Sequence, residues 1–150
     1  MQIRAAREVD VPAVKACAEA AYVVYVEAIG QKPAPMIADF GAAQAEGNLY
    51  VATDSCGIAG FAVFYQREDH VHLENVAVAP ARQGERIGRQ LVEFVEARAR
   101  ELGLDRIELY TNEKMTGNLA WYPKLGFIET GRRQQDGFNR VFFEKILGNA

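Results

Sequence analysis

Cysteine is scarce in this 150-residue chain: only Cys17, in a helical pattern, and Cys56, in a turn pattern, are present. The N-terminal MQIRAAREVD lacks the apolar core of a secretory signal. Without such a signal, two cysteines read as free thiols, and the cytoplasm is the expected compartment. Long apolar runs are also missing; none approaches the roughly 20 residues of a membrane span. Nor is there an excess of positive charge, since 17 Lys and Arg stand against 20 Asp and Glu, a net charge of −3. A protein that coats nucleic acid is usually basic overall, so neither nucleic acid nor membrane is an expected partner. No spacing of His, Cys and carboxylates completes a recognisable ligand set, so no metal is expected. Repeats and low-complexity segments are lacking too. With 49% apolar and 25% charged residues, the composition is that of one globular domain over 1–150.

The most informative stretch runs from Val76 to Leu91, VAVAPARQGERIGRQL. It reads as the end of a buried strand, a Pro-marked turn, a Gly-containing loop and the start of an amphipathic helix. Such a loop leaves backbone N–H groups unpaired at a helix N-terminus, where the peptide dipole is positive. Phosphate suits that place. Arg82, Arg86 and Arg89 add local positive charge. The same pattern also fits an ordinary strand-to-helix connection with a solvated basic face.

The rest of the chain supplies a context. Ile3 to Ala5 reads as a short strand. Asp10 is placed to cap a helix with Pro12 in its first turn. Val11, Val14, Ala18, Ala21, Tyr25 and Ala28 recur at helical spacing until Gly30. A second helix is expected from Met36 to Glu46. Strands follow over Leu49–Thr53, Ile58–Tyr65 and His70–Val78, joined by turns. The helix after the Gly loop carries Ile87, Leu91, Phe94, Val95 and Leu102 on one face and stops at Gly103. Arg106 to Thr111 is a strand and Asn118 to Leu125 a short helix. Phe127–Arg132 and Asn139–Lys145 form a hairpin around Asp136-Gly137. The order β α α β β β α β α β β predicts a mixed sheet with helices on both faces and a single βαβ unit.

Two groups of residues could do chemistry. Strict alternation along His70 to Val78 puts His70, His72, Glu74 and Val76 on one face. His70, nearest the turn, reads as a polar edge. His72 and Glu74 are candidate general bases. The second group is NLAWYPKLGF, Asn118 to Phe127. Its Trp121, Tyr122, Leu125 and Phe127 suit a packed helix. Tyr122 also carries a weakly acidic hydroxyl, with pKa about 10, that suits donation to a thiolate or alkoxide.

Over nearly its whole length the chain resembles the GNAT superfamily of acyl-CoA-dependent N-acetyltransferases. VAVAPARQGERIGRQLV looks like the family's cofactor motif, a strand followed by Gln/Arg-x-x-Gly-x-Gly/Ala, with Gln83 first and Gly88 last. NLAWYPKLGF looks like its second motif, with Tyr122 at the acid position and Gly126-Phe127 closing it. The resemblance implies an α/β (α+β) fold: a mostly antiparallel seven-stranded sheet flanked by helices and splayed around the central βαβ unit. It also implies acetyl-CoA as the acyl donor. The pantetheine arm would lie against Val76, Ala77 and Val78. The pyrophosphate would sit on the N–H groups of Gly84, Glu85, Arg86, Ile87 and Gly88, with Gln83 and Arg89 flanking them in the cofactor loop, and Asn118 would contact the cofactor. One position departs from the motif, since Arg86 stands where the family has its middle Gly. With helical dihedrals Arg86 would cost little; with left-handed ones it would cost cofactor affinity.

The implied reaction is direct attack of an amine on the acetyl thioester. Glu74 or His72 would deprotonate the amine, directly or through water, and Tyr122 would protonate the departing thiolate. The first two helices would wall the acceptor pocket, with Tyr22, Tyr25, Met36 and Phe40 as candidate lining. The acceptor is a small-molecule or peptide amine that the sequence does not identify further. The pattern leaves room for a homodimer through the final hairpin. It also leaves room for a non-catalytic acyl-CoA-binding module that reports to a partner.

Overall fold

In the computed structural model, which describes residues 1–148, seven strands form one sheet in the order β1-β2-β3-β4-β5-β7-β6. The strands are β1 (Gln2–Ala5), β2 (Leu49–Asp54), β3 (Gly57–Gln66), β4 (Val71–Val78), β5 (Arg106–Asn112), β6 (Ile128–Gln135) and β7 (Phe138–Ile146). Every pairing is antiparallel except β4 with β5. This is the expected α+β architecture. Asp136 and Gly137 both have positive φ, 53° and 80°, as a two-residue β6–β7 turn requires. Among the described residues no helix is long and apolar enough to cross a membrane.

Among the described residues five α-helices cover the sheet: α1 (Val11–Tyr22), α2 (Val26–Ile29), α3 (Phe40–Ala45), α4 (Ile87–Glu101) and α5 (Thr116–Lys124). Two apolar cores result. Val14, Ala18 and Phe40 from α1 and α3 pack on Val51, Phe61, Val63 and Ala77. On the opposite face Leu91, Val95 and Tyr122 from α4 and α5 pack on Leu73, Val76, Leu109 and Phe143.

Several expectations need correction. The first helix is not continuous to Gly30; a 3-10 turn at Val23–Tyr25 divides it into α1 and α2. Asp10 does not cap α1 through its side chain. Its carboxylate instead accepts the Arg7 N–H at 2.8 Å and the Arg4 guanidinium at 2.7 Å. The second helix is shorter than periodicity predicts. Its true cap is Asp39, whose Oδ1 accepts the Ala42 N–H at 2.9 Å, and Ala34–Met36 forms a separate 3-10 turn. Leu102 lies past the end of α4 and is exposed.

The most consequential correction concerns β4. Phe64 pairs with Leu73 and Val63 pairs with Asn75, so Glu74 is an extra, unpaired residue in a β-bulge. One extra residue reverses the alternation beyond it. His72 therefore shares its face with Asn75 and Ala77, whereas Val76 shares the opposite face with Val71 and Leu73. The expected single face of His70, His72, Glu74 and Val76 does not form.

The bulge also positions the site. β4 and β5 pair over only two rungs, Val71 with Ile107 and His72 with Glu108. Past Glu74 the strands part. On the β3 side the Ala79 N–H bonds the Ala59 carbonyl at 2.8 Å. Antiparallel ladders alternate bonded and non-bonded pairs, so Phe61–Ala77 is bonded and Ala62–Val76 is not. Val76 and Val78 thus turn their backbone N–H and C=O toward the gap.

Candidate active site

Two cavities open on this gap and share Tyr22, Val76 and Asn118. The smaller, about 460 Å³, follows the strand-to-helix loop. Its wall includes Val76, Ala77, Val78, Gln83, Gly84, Arg86, Ile87, Gly88, Arg89 and Asn118, which are the expected cofactor positions with one exception. Glu85 does not line it; its carboxylate instead accepts the Arg82 guanidinium at 3.0 Å. Arg82 also pairs with Asp54, so much of its charge is already matched. Arg86 and Arg89 are the cations left facing this space.

Among the described residues, no acceptor takes the N–H groups of Gly84 through Arg89; the helical ladder starts with Gln90 donating to the Arg86 carbonyl. Ile87, Gly88 and Arg89 open the first turn of α4, where the helix dipole adds to their unpaired N–H groups. The turn that presents them needs two positive φ angles, +90° at Gly84 and +64° at Arg86. For Arg86 this is the left-handed case, which is strained for a residue with a Cβ. Gly88 has an ordinary φ but is required for another reason: a Cβ there would lie 2.9 Å from the Trp121 ring.

The larger cavity, about 540 Å³, lies on the α1 and α3 side. Tyr122, Glu74, Asn75, Thr111, Tyr65, Tyr110 and Arg140 line it. Of the residues expected to hold the acceptor, Tyr22 and Phe40 line this cavity. Tyr25 lines the smaller one, where its hydroxyl sits against Gly117; a Cβ on Gly117 would lie 2.6 Å from it. Met36 lines neither and packs in the core.

Tyr122 is buried, and that burial raises its hydroxyl well above the ordinary tyrosine value of 10. The group is therefore a neutral donor at physiological pH. Its ring is fixed against Trp121, Phe127 and Phe143 at centroid distances of 5.1, 5.6 and 5.8 Å. Lys145 secures the helix that carries it, donating to the Leu125 carbonyl at 2.8 Å while paired with the buried Glu96. Asn118 donates to Thr111 Oγ1 at 3.2 Å where the two cavities meet.

The two candidate bases separate. Glu74 projects from the bulge into the larger cavity, with Tyr65 donating to it at 3.4 Å. His72 lies outside that lining, between the rings of Tyr65 and Tyr110 at 5.3 and 5.5 Å. Burial lowers its pKa to about 4, and Arg67 and His70 push it the same way. His70 belongs to an ion-pair cluster at the closed end of the β4–β5 pair. There Arg106 bridges Asp69 at 3.1 Å and Glu108 at 2.6 Å. That guanidinium already supplies the cation the carboxylates face.

Asn75 and Lys145 escaped the sequence reading. For Asn75 a signal existed, a polar side chain inside the apolar run LENVAV. For Lys145 none did, because its partners Glu96 and Leu125 are remote in the chain.

The sequence model of the Acetyltransferase (GNAT) family matches residues 14–127. The uncharacterized N-acetyltransferase YvbK of Bacillus subtilis (strain 168) is 33% identical over 105 residues, covering 69% of this chain and 67% of its own. PaiA N-acetyltransferase from Thermoplasma acidophilum, solved in complex with coenzyme A, superposes with a TM-score of 0.77 at 15% identity. That match covers 97% of this chain and 98% of the other. A GNAT family acetyltransferase from Elizabethkingia anophelis with acetyl-CoA bound gives a TM-score of 0.61 at 24% identity, over 72% and 81%. At these identities the structural matches establish the shared fold.

Proposed function

The chain belongs to the acetyltransferase (GNAT) family, and from that premise we propose that it acetylates a primary amine with acetyl-CoA as donor. The observation that carries this reading is the meeting of the two cavities at Tyr22, Val76 and Asn118, where the sheet opens. The smaller cavity fits the donor. Its free N–H groups from Gly84 to Arg89, with Arg86 and Arg89, suit a pyrophosphate. Its other wall, Val76 to Val78 with Trp121, offers backbone groups and apolar surface to a pantetheine arm. When bound, acetyl-CoA supplies an acetyl thioester, whose carbon–sulfur bond breaks as the amine forms its new nitrogen–carbon bond.

The larger cavity takes the amine. An alkylammonium, with pKa about 10.4, must lose a proton before it can attack. Glu74 faces that cavity and takes this proton, directly or through water. His72, with a pKa of about 4 and no place in the lining, is the poorer base. The N–H groups of Val76 and Val78 point into the gap and serve the developing oxyanion. Tyr122, protonated at neutral pH, gives its proton to the departing sulfur, and the second proton, which the nitrogen sheds as the amide forms, restores Tyr122 through water.

Thermal unfolding with acetyl-CoA, against ATP and NAD as controls, tests the donor. At about 100 times Kd a ligand adds roughly 2.7 kcal/mol of stability. Selective stabilisation by acetyl-CoA is expected, followed by amine-dependent thiol release. A transition unmoved by millimolar acetyl-CoA sinks the reading.

A further inference from the structure

One buried side chain belongs to neither the donor loop nor the proton-transfer groups. Asn75 follows the bulge residue of β4 and is 5% exposed. Its Nδ2 donates to the Pro35 carbonyl at 3.0 Å. Its Oδ1 accepts the Tyr22 hydroxyl at 2.7 Å, and that hydroxyl also lies 3.0 Å from the Val76 carbonyl. The amide orientation follows from these partners. A carbonyl only accepts, so the nitrogen faces Pro35 and the oxygen is left for the tyrosine. An aspartate would lack the donor, and an apolar residue would lack both functions.

The partner at Pro35 matters because of what surrounds it. Pro33, Ala34, Pro35, Ala38, Asp39 and Phe40 form one wall of the larger cavity. Two of the first three are prolines, which have no N–H to offer a sheet. The segment's other backbone bonds stay local and reach no strand: Met36 to Pro33, Ile37 to Ala34, Phe40 to Ala38 and Ala43 to Asp39. Among the described residues, Asn75 makes the one hydrogen bond that joins the stretch 33–39 to the sheet. The Met36 and Phe40 side chains anchor it by packing alone.

We propose that Asn75 is a positioning residue that pins the Pro33–Phe40 wall to the β4 bulge and so sets the width of the amine cavity. The assignment rests on the reading of that cavity as the acceptor site. The bulge is what makes the arrangement possible. It turns Asn75 to the α1 side of the sheet and places Glu74 beside it at the cavity. The wall and the candidate base are thus registered to one irregularity in one strand.

The test compares wild type, Asn75→Ala and Asn75→Asp by hydrogen exchange and by steady-state kinetics. Asn75→Asp keeps an acceptor for Tyr22 and removes the donor to Pro35. Both variants should speed exchange across residues 34–40 about tenfold, the size of change one lost buried hydrogen bond brings to a local opening. Stabilisation by acetyl-CoA should persist. With the best amine from a thiol-release screen, its KM should rise about tenfold while the KM of acetyl-CoA and kcat stay within twofold. Exchange within twofold of wild type in both variants would overturn the proposal. So would an unchanged amine KM with a lowered kcat. Asn75→Ser replaces either variant that loses its cooperative transition, and loss of folding in all three also overturns the proposal. Failure of acetyl-CoA to stabilise the wild type would instead remove the acetyl-transfer reading, and exchange would still decide whether Asn75 holds the wall.

Discussion

Gly88, in the first turn of α4, lies directly against the indole of Trp121 in α5. A Cβ added to it would stand 2.9 Å from Cζ2 and 3.1 Å from Cη2 of that ring. The contact fixes the spacing between the loop that presents free N–H groups and the helix that carries Asn118 and Tyr122. Gly88→Ala is therefore expected to cost about 1–3 kcal/mol, the usual penalty for overpacking. It should also weaken acetyl-CoA binding by moving α5. Chemical denaturation and the acetyl-CoA-induced shift in Tm check both; a fully stable variant with unchanged affinity contradicts the account.

Arg86 has φ +64°, a conformation that costs a Cβ-bearing residue about 1–2 kcal/mol. Arg86→Gly removes that strain but gives the unfolded chain more freedom, which offsets part of the gain. A net stabilisation of about 1 kcal/mol is expected, seen as a rise of a few degrees in Tm. Donor affinity should respond to two opposed changes, the relaxed loop and the lost cation. Raising the salt concentration separates them, since it screens only the second.

Tyr122→Phe deletes the hydroxyl and keeps the packing against Phe127 and Phe143. A group transferring a proton in the transition state contributes typically 10²–10⁴-fold, so kcat should fall by about that range. Acetyl-CoA affinity should stay close to wild type. Because burial raises this hydroxyl above its ordinary value of 10, the wild-type pH profile should show no loss of the acid form up to pH 10. A kcat unchanged in the variant would remove Tyr122 from the mechanism.

His72 should make the protein acid-sensitive. Its pKa is about 4 when folded against an ordinary 6.5, so the unfolded chain binds its proton first. The stability this group contributes is complete above pH 6.5, falls as pH drops from 6.5 to about 4, and is gone below that. The full window corresponds to about 3 kcal/mol. His72→Phe keeps an aromatic ring between Tyr65 and Tyr110 but cannot titrate. Denaturation curves between pH 4 and 7 should be flatter for the variant, and identical slopes would contradict the assignment.

The sequence by itself determined the architecture and the strand-to-helix loop that walls the smaller cavity. Seven strands, their order along the chain, the α4 helix and the loop from Gln83 to Arg89 were all legible. Local chemistry fixes them: alternation for strands, helical spacing for α4, glycines for turns. Tyr122 was legible too, because its motif is contiguous. Only the tertiary structure decided which side chains share a face on β4. Periodicity assumes an unbroken ladder, and one bulged residue at Glu74 reverses every position after it. The backbone angle of Arg86 was likewise open, since arginine populates helical and left-handed states at costs that only the closed loop distinguishes. The same holds for Asn75 with Pro35 and for Lys145 with Glu96 and Leu125, 40, 49 and 20 residues apart. Contacts at such separations exist only once the sheet has formed, because no local pattern records which distant carbonyl a polar side chain will meet.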